Sequence, residues 1–394
     1  MKYVILVGDG MGDYPLPILK GKTPLQAANI PTIRQIATLA DIQMITTVPN
    51  GMVPGSDVAN MSLLGYNPAT SYTGRAAIEA AGAHIAMKPN DVAFRCNLVT
   101  TADGIMDDYS AGHITSKEGA ALIDTLQQEL SREGLHFHHG VQYRHLLLWN
   151  NGPEADWLEP PHEFTGHSVA DNQPTNPELS YLLERSKEIF KEHPVNLQRI
   201  ANGQKPATQI WLWGQGRAMH LPSFQGRYGI TGGVISAVDL VRGIGMLAGL
   251  EAPKILGATG MLDTNVQGKV DEAIAMLDRH DFIYFHLEAP DECGHMGDAL
   301  GKIQAIELFN DSVVKSIWNE LERRKEAYEM VVCMDHRTPI ELMGHTSDPI
   351  PIAFLTGPSG TTIEETPFDE YVNNGISQGI AYDLIHQHLK QAFG

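Results

Sequence analysis

Seven side chains with oxygen or nitrogen ligand atoms fall where apolar segments give way to turns, and together they match a two-metal phosphoryl-transfer site. They are Asp9, Ser56, Asp291, His295, Asp335, His336 and His345. Carboxylate and imidazole groups bind divalent cations, and a serine beside such cations can attack phosphorus. The set therefore predicts metal-assisted phosphoryl transfer.

Predicted strands position the three aspartates of this set. Residues 3–7, 282–287 and 330–334 are short apolar runs, which are typical of strands buried in a parallel sheet, and an aspartate follows each run. Open parallel sheets form their ligand sites outside the carboxyl ends of the strands. We therefore expect these side chains to converge.

Each local pattern also has a simpler interpretation. Asp291 and His295 share one face of a helical turn that Pro290 can begin, but an aspartate is also favoured at a solvated helix N-terminus. Residues 335–336 follow a strand and could form an exposed turn. His345 alone would be a surface histidine. The metal interpretation depends on the residues as a set.

The first turn and the serine turn each allow two interpretations. Residues 8–12 (GDGMG) lack the G-x-G-x-x-G dinucleotide spacing, and Asp9 would repel a pyrophosphate, so a metal ligand fits this position better. Ser56 precedes a segment that can continue as a helix. A serine there is ordinarily an N-cap, although the same position also favours a phosphoryl group.

Composition limits the class of protein and of partner. The 394 residues are 43% apolar, which suffices for a two-domain globular protein, and the net charge of -19 argues against nucleic acid or an anionic membrane as partner. Cys96, Cys293 and Cys333 cannot all pair, so we expect reduced thiols and a cytoplasmic location. No stretch reads as a signal peptide or a membrane span.

The segment order predicts an α/β fold with a mostly parallel sheet and an inserted α+β cap domain. Helices are expected over residues 23–40, 269–279 and 300–323 between the strands. The middle of the chain has its own helix starts, a capping box at Thr115 and Glu118 and a cap at Asn176. We therefore assign residues 1–85 and 226–394 to the core and 86–225 to the cap.

Motifs along nearly the whole chain carry a family resemblance. They include residues 8–13 (GDGMGD), 23–27 (TPLQA), 55–60 (GSDVAN), 64–68 (LGYNP), 72–75 (YTGR), 286–295 (HLEAPDECGH) and 335–336 (DH). The chain resembles the archaeal-type, cofactor-independent phosphoglycerate mutases of the alkaline phosphatase superfamily. The resemblance implies an alkaline-phosphatase-like core that needs no 2,3-bisphosphoglycerate.

The resemblance also implies a ligand set and a metal. One ion would be held by Asp9, Ser56, Asp335 and His336, and the other by Asp291, His295 and His345. The mixed carboxylate and imidazole ligands suit Mn²⁺ or Zn²⁺ better than Mg²⁺, and Mn²⁺ is the expected ion.

The implied reaction interconverts 2-phosphoglycerate and 3-phosphoglycerate through a phosphoserine at Ser56, with the cap as a lid against water. Three aspartates and an ionised serine balance two divalent cations, so the phosphate ester needs further positive groups. The candidates are Arg75, Arg95, His113, Arg144, Arg242 and Arg337. Each arginine could instead form a surface ion pair, and His113 could be a core histidine.

Two departures from the family pattern leave the substrate open. Arg337 stands where the family usually has proline, and residues 343–344 (MG) replace an Arg-Thr or Lys-Thr pair. Residues 106–114 are similar to bacterial relatives proposed to be homoserine kinases. A homoserine kinase-like phosphotransferase and a metal-dependent phosphomonoesterase are therefore alternatives, as is a structural metal-binding protein in which Ser56 is dispensable.

Overall fold

The structure is a computed structural model that describes residues 1–132, 134–153, 158–358 and 367–394. The chain forms two compact units. Unit 1 consists of Met1–Tyr72 and His220–Gly394, and unit 2 of Thr73–Met219. None of the helices in these described ranges combines the length and the apolar character of a membrane span.

The elements are numbered in chain order. The strands are β1 (Lys2–Gly8), β2 (Asp41–Ile45), β3 (Val92–Ala102), β4 (Ile105–Asp108), β5 (Leu135–Val141), β6 (Arg144–Trp149), β7 (Gln209–Arg217), β8 (Gly232–Ile235), β9 (Phe282–Leu287), β10 (Tyr328–Cys333) and β11 (Ile350–Gly357). The helices are α1 (Pro24–Ala27), α2 (Pro31–Ala37), α3 (Ser56–Leu63), α4 (Pro68–Ser71), α5 (Arg75–Gly82), α6 (Ser116–Leu130), α7 (Pro177–Lys191), α8 (Pro194–Ala201), α9 (Phe224–Tyr228), α10 (Asp239–Leu247), α11 (Val266–Met276), α12 (Ala289–His295), α13 (Ala299–Leu308), α14 (Lys315–Arg324) and α15 (Ala381–Phe393).

Unit 1 is built on a mostly parallel sheet with the strand order β2-β11-β10-β1-β9-β8. The four strands from β10 to β8 are parallel, and β11 is antiparallel to both of its neighbours. β1, β9 and β10 are apolar and buried almost throughout, as strands covered on both faces must be. The predicted α/β core is confirmed.

One predicted helix of unit 1 is divided in two, and another is continuous but contains a π-helical segment. Residues 23–40 form α1 and α2 instead of one helix, because Pro31 cannot donate a backbone hydrogen bond and starts a new helix instead. Residues 300–323 form α13 and α14 joined by a π-helical segment, Phe309–Val314. Inside that segment, Asn310 Oδ1 accepts a hydrogen bond from the Ile33 amide at 2.9 Å, which ties the helix to α2.

Unit 2 is built on an antiparallel sheet in which β3 is central and pairs with β4, β6 and β7. The predicted helix starts are confirmed: Thr115 and Glu118 form a capping box at α6, and Asn176 caps α7. Unit 2 begins before residue 86 and ends before residue 225, which are the borders predicted for the cap. It begins earlier because α5 packs on β3 and β7, and it ends earlier because the chain leaves the unit soon after β7.

Candidate metal centre

The order of the parallel strands explains why the predicted ligands meet. β1 lies between β9 and β10, so the turns that follow these three strands share one edge of the sheet. Asp9 follows β1, Asp291 lies on α12 directly after β9, and Asp335 follows β10. All three carboxylates are buried.

The first group of side chains surrounds His336. Its Nε2 atom lies 3.4 Å from Asp335 Oδ2, 3.5 Å from Asp9 Oδ1 and 3.2 Å from Ser56 Oγ. Asp335 is held firmly, because the Gly10 amide (3.1 Å) and the His336 amide (2.9 Å) donate to its Oδ1. These are the four residues that the family resemblance assigns to one metal.

Ser56 is the first residue of α3, and Gly55 is its N-cap. The side chain is therefore not used as a cap and instead faces His336. One turn later, Asn60 donates from Nδ2 to the Ser56 carbonyl and to Asp335 Oδ2, both at 2.8 Å. Tyr284 on β9 donates to Asn60 Oδ1, so hydrogen bonds hold both the nitrogen and the oxygen of the Asn60 side-chain amide.

The second group surrounds Asp291. His295 Nε2 lies 3.2 Å from Asp291 Oδ2, and His345 Nε2 lies 3.5 Å from Asp291 Oδ1. The Nε2 atoms of the two histidines are only 2.9 Å apart, and His295 Nδ1 lies 2.9 Å from the Met343 carbonyl. Met343 thus contributes its backbone to the site, while its side chain is exposed.

The two groups are linked through Thr338 and Gly10. Thr338 Oγ1 donates to Asp291 Oδ1 and lies 3.2 Å from His336 Nδ1. Gly10 has a φ of +59°, and a Cβ at this position would lie 2.6 Å from Asp291 Oδ1. Only glycine avoids both the strained backbone and the collision.

Burial and crowding make the charges of the cluster uneven. Burial, with the neighbouring carboxylates of Asp335 and Asp291, raises the pKa of Asp9 well above its usual value. Burial opposes ionisation of Asp291 too, but hydrogen bonds from His295 and His345 hold its pKa well below the usual range. Burial lowers the pKa of His336 to about 4, which favours the neutral imidazole that a metal requires.

The chemistry of the donors fits divalent cations. Three sets of carboxylate and imidazole atoms lie within 4.8 Å of one another: Asp291 with His295 and His345, Asp9 with Asp291 and His336, and Asp9 with His286 and Asp335. Asp9 Oδ1 is buried and has no hydrogen-bond partner within the described residues. A buried carboxyl oxygen without a donor is costly unless the group is protonated or binds a cation, and the carboxylate and imidazole donors present fit a metal pair.

A second polar cluster lies in unit 2 around Glu79. Arg75 Nε and Arg95 Nε each lie 3.0 Å from one of its carboxylate oxygens. Burial opposes ionisation, but Arg95, Arg75 and Arg144 together keep the pKa of Glu79 below its usual value. Burial, followed by repulsion from Arg75 and Arg144, lowers the pKa of Arg95 to about 10 despite attraction to Glu79. Three guanidinium groups of the described residues thus lie near Glu79.

Aromatic rings support these guanidinium groups. Arg95 lies over the ring of Trp213 at 4.1 Å, and Arg144 over the ring of Tyr143 at 4.7 Å. Trp213 Nε1 donates to Asn97 Oδ1 at 3.1 Å, which fixes the plane beneath Arg95. Stacked guanidinium groups keep their edges available for planar anions.

The remaining predicted substrate residues are placed less favourably. His113 lies in an exposed turn before α6. Arg242 is buried and donates to the Ala252 carbonyl (2.8 Å) and to Asp239 (2.6 Å), which indicates a structural role. Arg337 is also buried, and it donates from Nε and Nη2 to the Pro349 carbonyl, so the geometry does not support a role in phosphate binding.

The sequence reasoning missed several residues of these clusters. They are Asn60, Glu79, His286 and Thr338. A signal existed for Asn60, because it lies four residues after Ser56 and so on the same helical face. Glu79 also lies four residues after Arg75. His286 gave no signal beyond being a polar residue inside a buried strand.

Comparison with known proteins identifies the family. A family model described as 2,3-bisphosphoglycerate-independent phosphoglycerate mutase matches residues 37–196. A curated protein of that name from Methanosarcina mazei is 48% identical over 98% of this chain and 98% of its own length. The chain belongs to this family. The resemblance inferred from the motifs is thereby confirmed.

Solved structures of similar proteins agree with the fold. A cofactor-independent phosphoglycerate mutase from Thermoplasma acidophilum has a TM-score of 0.66 at 25% identity and covers 100% of both chains. A protein from Pyrococcus horikoshii has a TM-score of 0.81 at 24% identity and covers 99% of this chain and 97% of its own. At that identity the second likeness concerns the fold alone.

Proposed function

We propose that this protein interconverts 2-phosphoglycerate and 3-phosphoglycerate by transferring the phosphoryl group through Ser56. Family membership supports the reaction. The observation that supports the role of Ser56 is its position. Ser56 is the first residue of α3, and its hydroxyl is not used as a cap but lies 3.2 Å from His336 Nε2. A helix N-terminus beside a cation-binding cluster favours a phosphoryl group.

Two divalent cations, when bound, lower the pKa of a serine hydroxyl and stabilise the charge on the phosphoryl oxygens. We propose that Asp9, Ser56, Asp335 and His336 hold one ion and that Asp291, His295 and His345 hold the other. The mixture of carboxylate and imidazole donors favours Mn²⁺ or Zn²⁺ over Mg²⁺, and we propose Mn²⁺.

The chain's own residues then carry two transfers. Ser56 Oγ attacks phosphorus, its bond to phosphorus forms as the bond to the C3 oxygen breaks, and the released C3 oxygen takes up the serine proton to become the glycerate hydroxyl. After the glycerate turns, its C2 oxygen attacks the phosphoserine and the serine regains a proton. Asn60 holds the Ser56 carbonyl and so fixes the first turn of α3 throughout.

The anionic groups of the substrate need positive partners. We propose unit 2 as the substrate-binding unit and Arg75, Arg95 and Arg144 as the side chains that bind the carboxylate and the phosphate. The support is their shared position around Glu79, together with the aromatic rings over which Arg95 and Arg144 lie. Guanidinium groups bind such planar anions through paired N–H donors.

Phosphorus NMR of the metal-loaded protein tests the reaction. One sample contains 3-phosphoglycerate and a second contains homoserine with ATP. The proposal expects a 2-phosphoglycerate signal in the first sample, without growth of an inorganic phosphate signal, and no phosphohomoserine in the second. Phosphohomoserine alone would favour the kinase alternative, and steady release of phosphate would favour the phosphomonoesterase.

A pair of serine variants tests the nucleophile. Ser56→Ala should lower the mutase rate by about 10⁴-fold or more, because no other group can accept the phosphoryl. Ser62→Ala is the matched control, since Ser62 lies in the same helix and its buried hydroxyl has no hydrogen-bond partner within the described residues. Unchanged activity in Ser56→Ala would contradict the proposed route.

A cytoplasmic location of the protein is part of the same proposed function.

A further inference from the structure

A row of buried charged and polar groups runs from α11 to the metal centre inside unit 1. Lys269 Nζ donates to Glu288 Oε2 at 2.6 Å and to the His286 carbonyl at 2.7 Å. Lys269 and His286 are fully buried and Glu288 is 2% exposed. Burying charged groups costs free energy unless the charges are paired in good geometry and their remaining polar atoms form hydrogen bonds.

Glu288 is fixed more firmly than an ordinary ion-pair partner. Its Oε1 accepts hydrogen bonds from Ser236 Oγ at 2.7 Å and from the Ala237 amide at 2.6 Å, while Lys269 holds Oε2. His286 Nδ1 lies 3.4 Å from that same Oε1. One ring nitrogen of His286 therefore faces an immobilised carboxylate.

The other ring nitrogen faces the metal centre. His286 Nε2 lies 3.4 Å from Asp9 Oδ2 and 3.8 Å from Asp335 Oδ2. Each ring nitrogen thus lies 3.4 Å from a carboxylate oxygen, although within the described residues neither contact has the geometry of an ordinary hydrogen bond. A fully buried imidazole with both nitrogens directed at carboxylates is an unusual arrangement for a residue that only fills space.

Asp9 and Asp335 differ in how well they are held. Asp335 accepts hydrogen bonds from the Gly10 and His336 amides and from Asn60 Nδ2. Asp9 Oδ1 accepts none within the described part of the chain. His336 approaches Asp9 at Oδ1, whereas His286 approaches it at Oδ2. The two histidines thus lie next to different oxygens of the Asp9 carboxylate.

We propose that His286 is a positioning residue for the metal centre: it donates from Nε2 to Asp9 Oδ2 and so directs Asp9 Oδ1 to the cation, while Glu288 and Lys269 hold its ring. Hydrogen bonds to the outer oxygen of a ligating carboxylate fix its orientation and its basicity. His286 itself does not touch the substrate. This inference rests on the metal role proposed above.

Cobalt binding to three variants tests the role. The proteins are His286→Leu, which removes the donor, His286→Gln, whose side-chain amide can replace it, and His388→Leu as the control. His388 suits as a control because it is a partly buried histidine of unit 1 paired with a carboxylate, Glu329 Oε1, at 2.6 Å. Glu329 lies near the start of β10, at the end of the strand opposite to the metal centre.

Each protein is stripped of metal and titrated with Co²⁺, and binding is followed by calorimetry and by the visible absorption of the bound ion. His286→Leu should weaken one of the two sites by about 10- to 100-fold and change its absorption band, as loss of an outer-shell partner does. His286→Gln should recover most of the affinity. His388→Leu should bind as the wild-type protein does.

The outcomes separate this role from the proposed function. Wild-type protein that binds no Co²⁺ would contradict the metal centre itself. If the wild type binds Co²⁺ and His286→Leu binds it with unchanged affinity and spectrum, the positioning role alone fails. Equal losses in His286→Leu and His286→Gln would also overturn it, because they would indicate a packing effect and not a donated hydrogen bond.

Discussion

The polar clusters of the two units are opposite in charge. The cluster of unit 1 has three buried aspartates, Asp9, Asp291 and Asp335, and among the described residues the other members of the candidate metal-binding groups are histidines. The cluster of unit 2 has three arginines around one glutamate, Glu79. Among the described residues, the cluster of unit 1 is therefore rich in carboxylates and the cluster of unit 2 is rich in guanidinium groups.

Under the proposed function, the two clusters suit different classes of ligand. Crowded carboxylates raise the free energy of the metal-free protein and favour cation binding. Guanidinium groups favour an anion, which they bind through paired N–H donors. A phosphoryl transfer needs both kinds of site, because the cations activate the nucleophile and the guanidinium groups hold the anionic substrate.

Removing a carboxylate from unit 1 should have the largest effect. In Asp335→Asn we expect the loss of one of two metal equivalents and a fall in mutase activity of more than about 100-fold, the upper range for residues outside the ligand set. Elemental analysis after gel filtration and an activity assay measure both. Asp278→Asn, an exposed residue paired with Arg324, is the control. Retention of two equivalents in Asp335→Asn would contradict the ligand assignment.

Removing a guanidinium group from unit 2 should leave the metals in place. Arg95→Met keeps an apolar side chain on Trp213 but removes a charged donor, so kcat/KM for 3-phosphoglycerate should fall roughly 10- to 100-fold. Metal content should not change. Arg132→Met is a close match, because Arg132 also lies over a tryptophan and pairs with a glutamate. An equal effect of both variants on kcat/KM would remove the distinction between the clusters.

A smaller effect is the pH dependence of stability that follows from a buried carboxyl group of unit 1, that of Glu370. Burial raises the pKa of Glu370 to about 7, although the Asp13 amide and Thr23 Oγ1 donate to it. The raised value means that the protonated form is favoured in the folded state. Its contribution to stability, roughly 3 kcal/mol, is present below the ordinary pKa of 4.5 and is lost as pH rises through about 7.

Urea unfolding at several pH values checks this sign. Between pH 5 and pH 8 the wild-type protein should lose more stability than Glu370→Gln, whose uncharged amide keeps an acceptor for the Asp13 amide. The difference between the variant and the wild type should therefore shift in favour of the variant as pH rises. Parallel stability curves for the two proteins would rule out this contribution of Glu370.

Much of unit 1 could be predicted from the sequence, because its site depends on strand ends. An apolar run followed by an aspartate marks the end of a buried strand, and the rule for parallel sheets brings such ends together. The break at Pro31 was also encoded, since proline starts helices and does not continue them. These signals are local in sequence.

The rest depended on contacts between distant segments. The carbonyls that accept from Arg337 belong to Pro349 and Glu370, and no local pattern shows that a guanidinium will be used in this way. The pairing of Glu79 with Arg95 follows from the packing of α5 on β3 and β7. Which arginines remain for a substrate is therefore a property of the fold.

The strand order has a consequence for biosynthesis. β1 is made first, yet its two neighbours in the sheet are β9 and β10, and Tyr3 is paired with Phe282 and Glu329. Among the described residues, the strands of unit 2 pair with one another, and all of them lie within Thr73–Met219. As a nascent chain leaves the ribosome, unit 2 can complete its sheet before β9 and β10, the partners of β1, have been synthesised. The proposed metal ligands that follow β1, β9 and β10 are therefore among the last residues to meet.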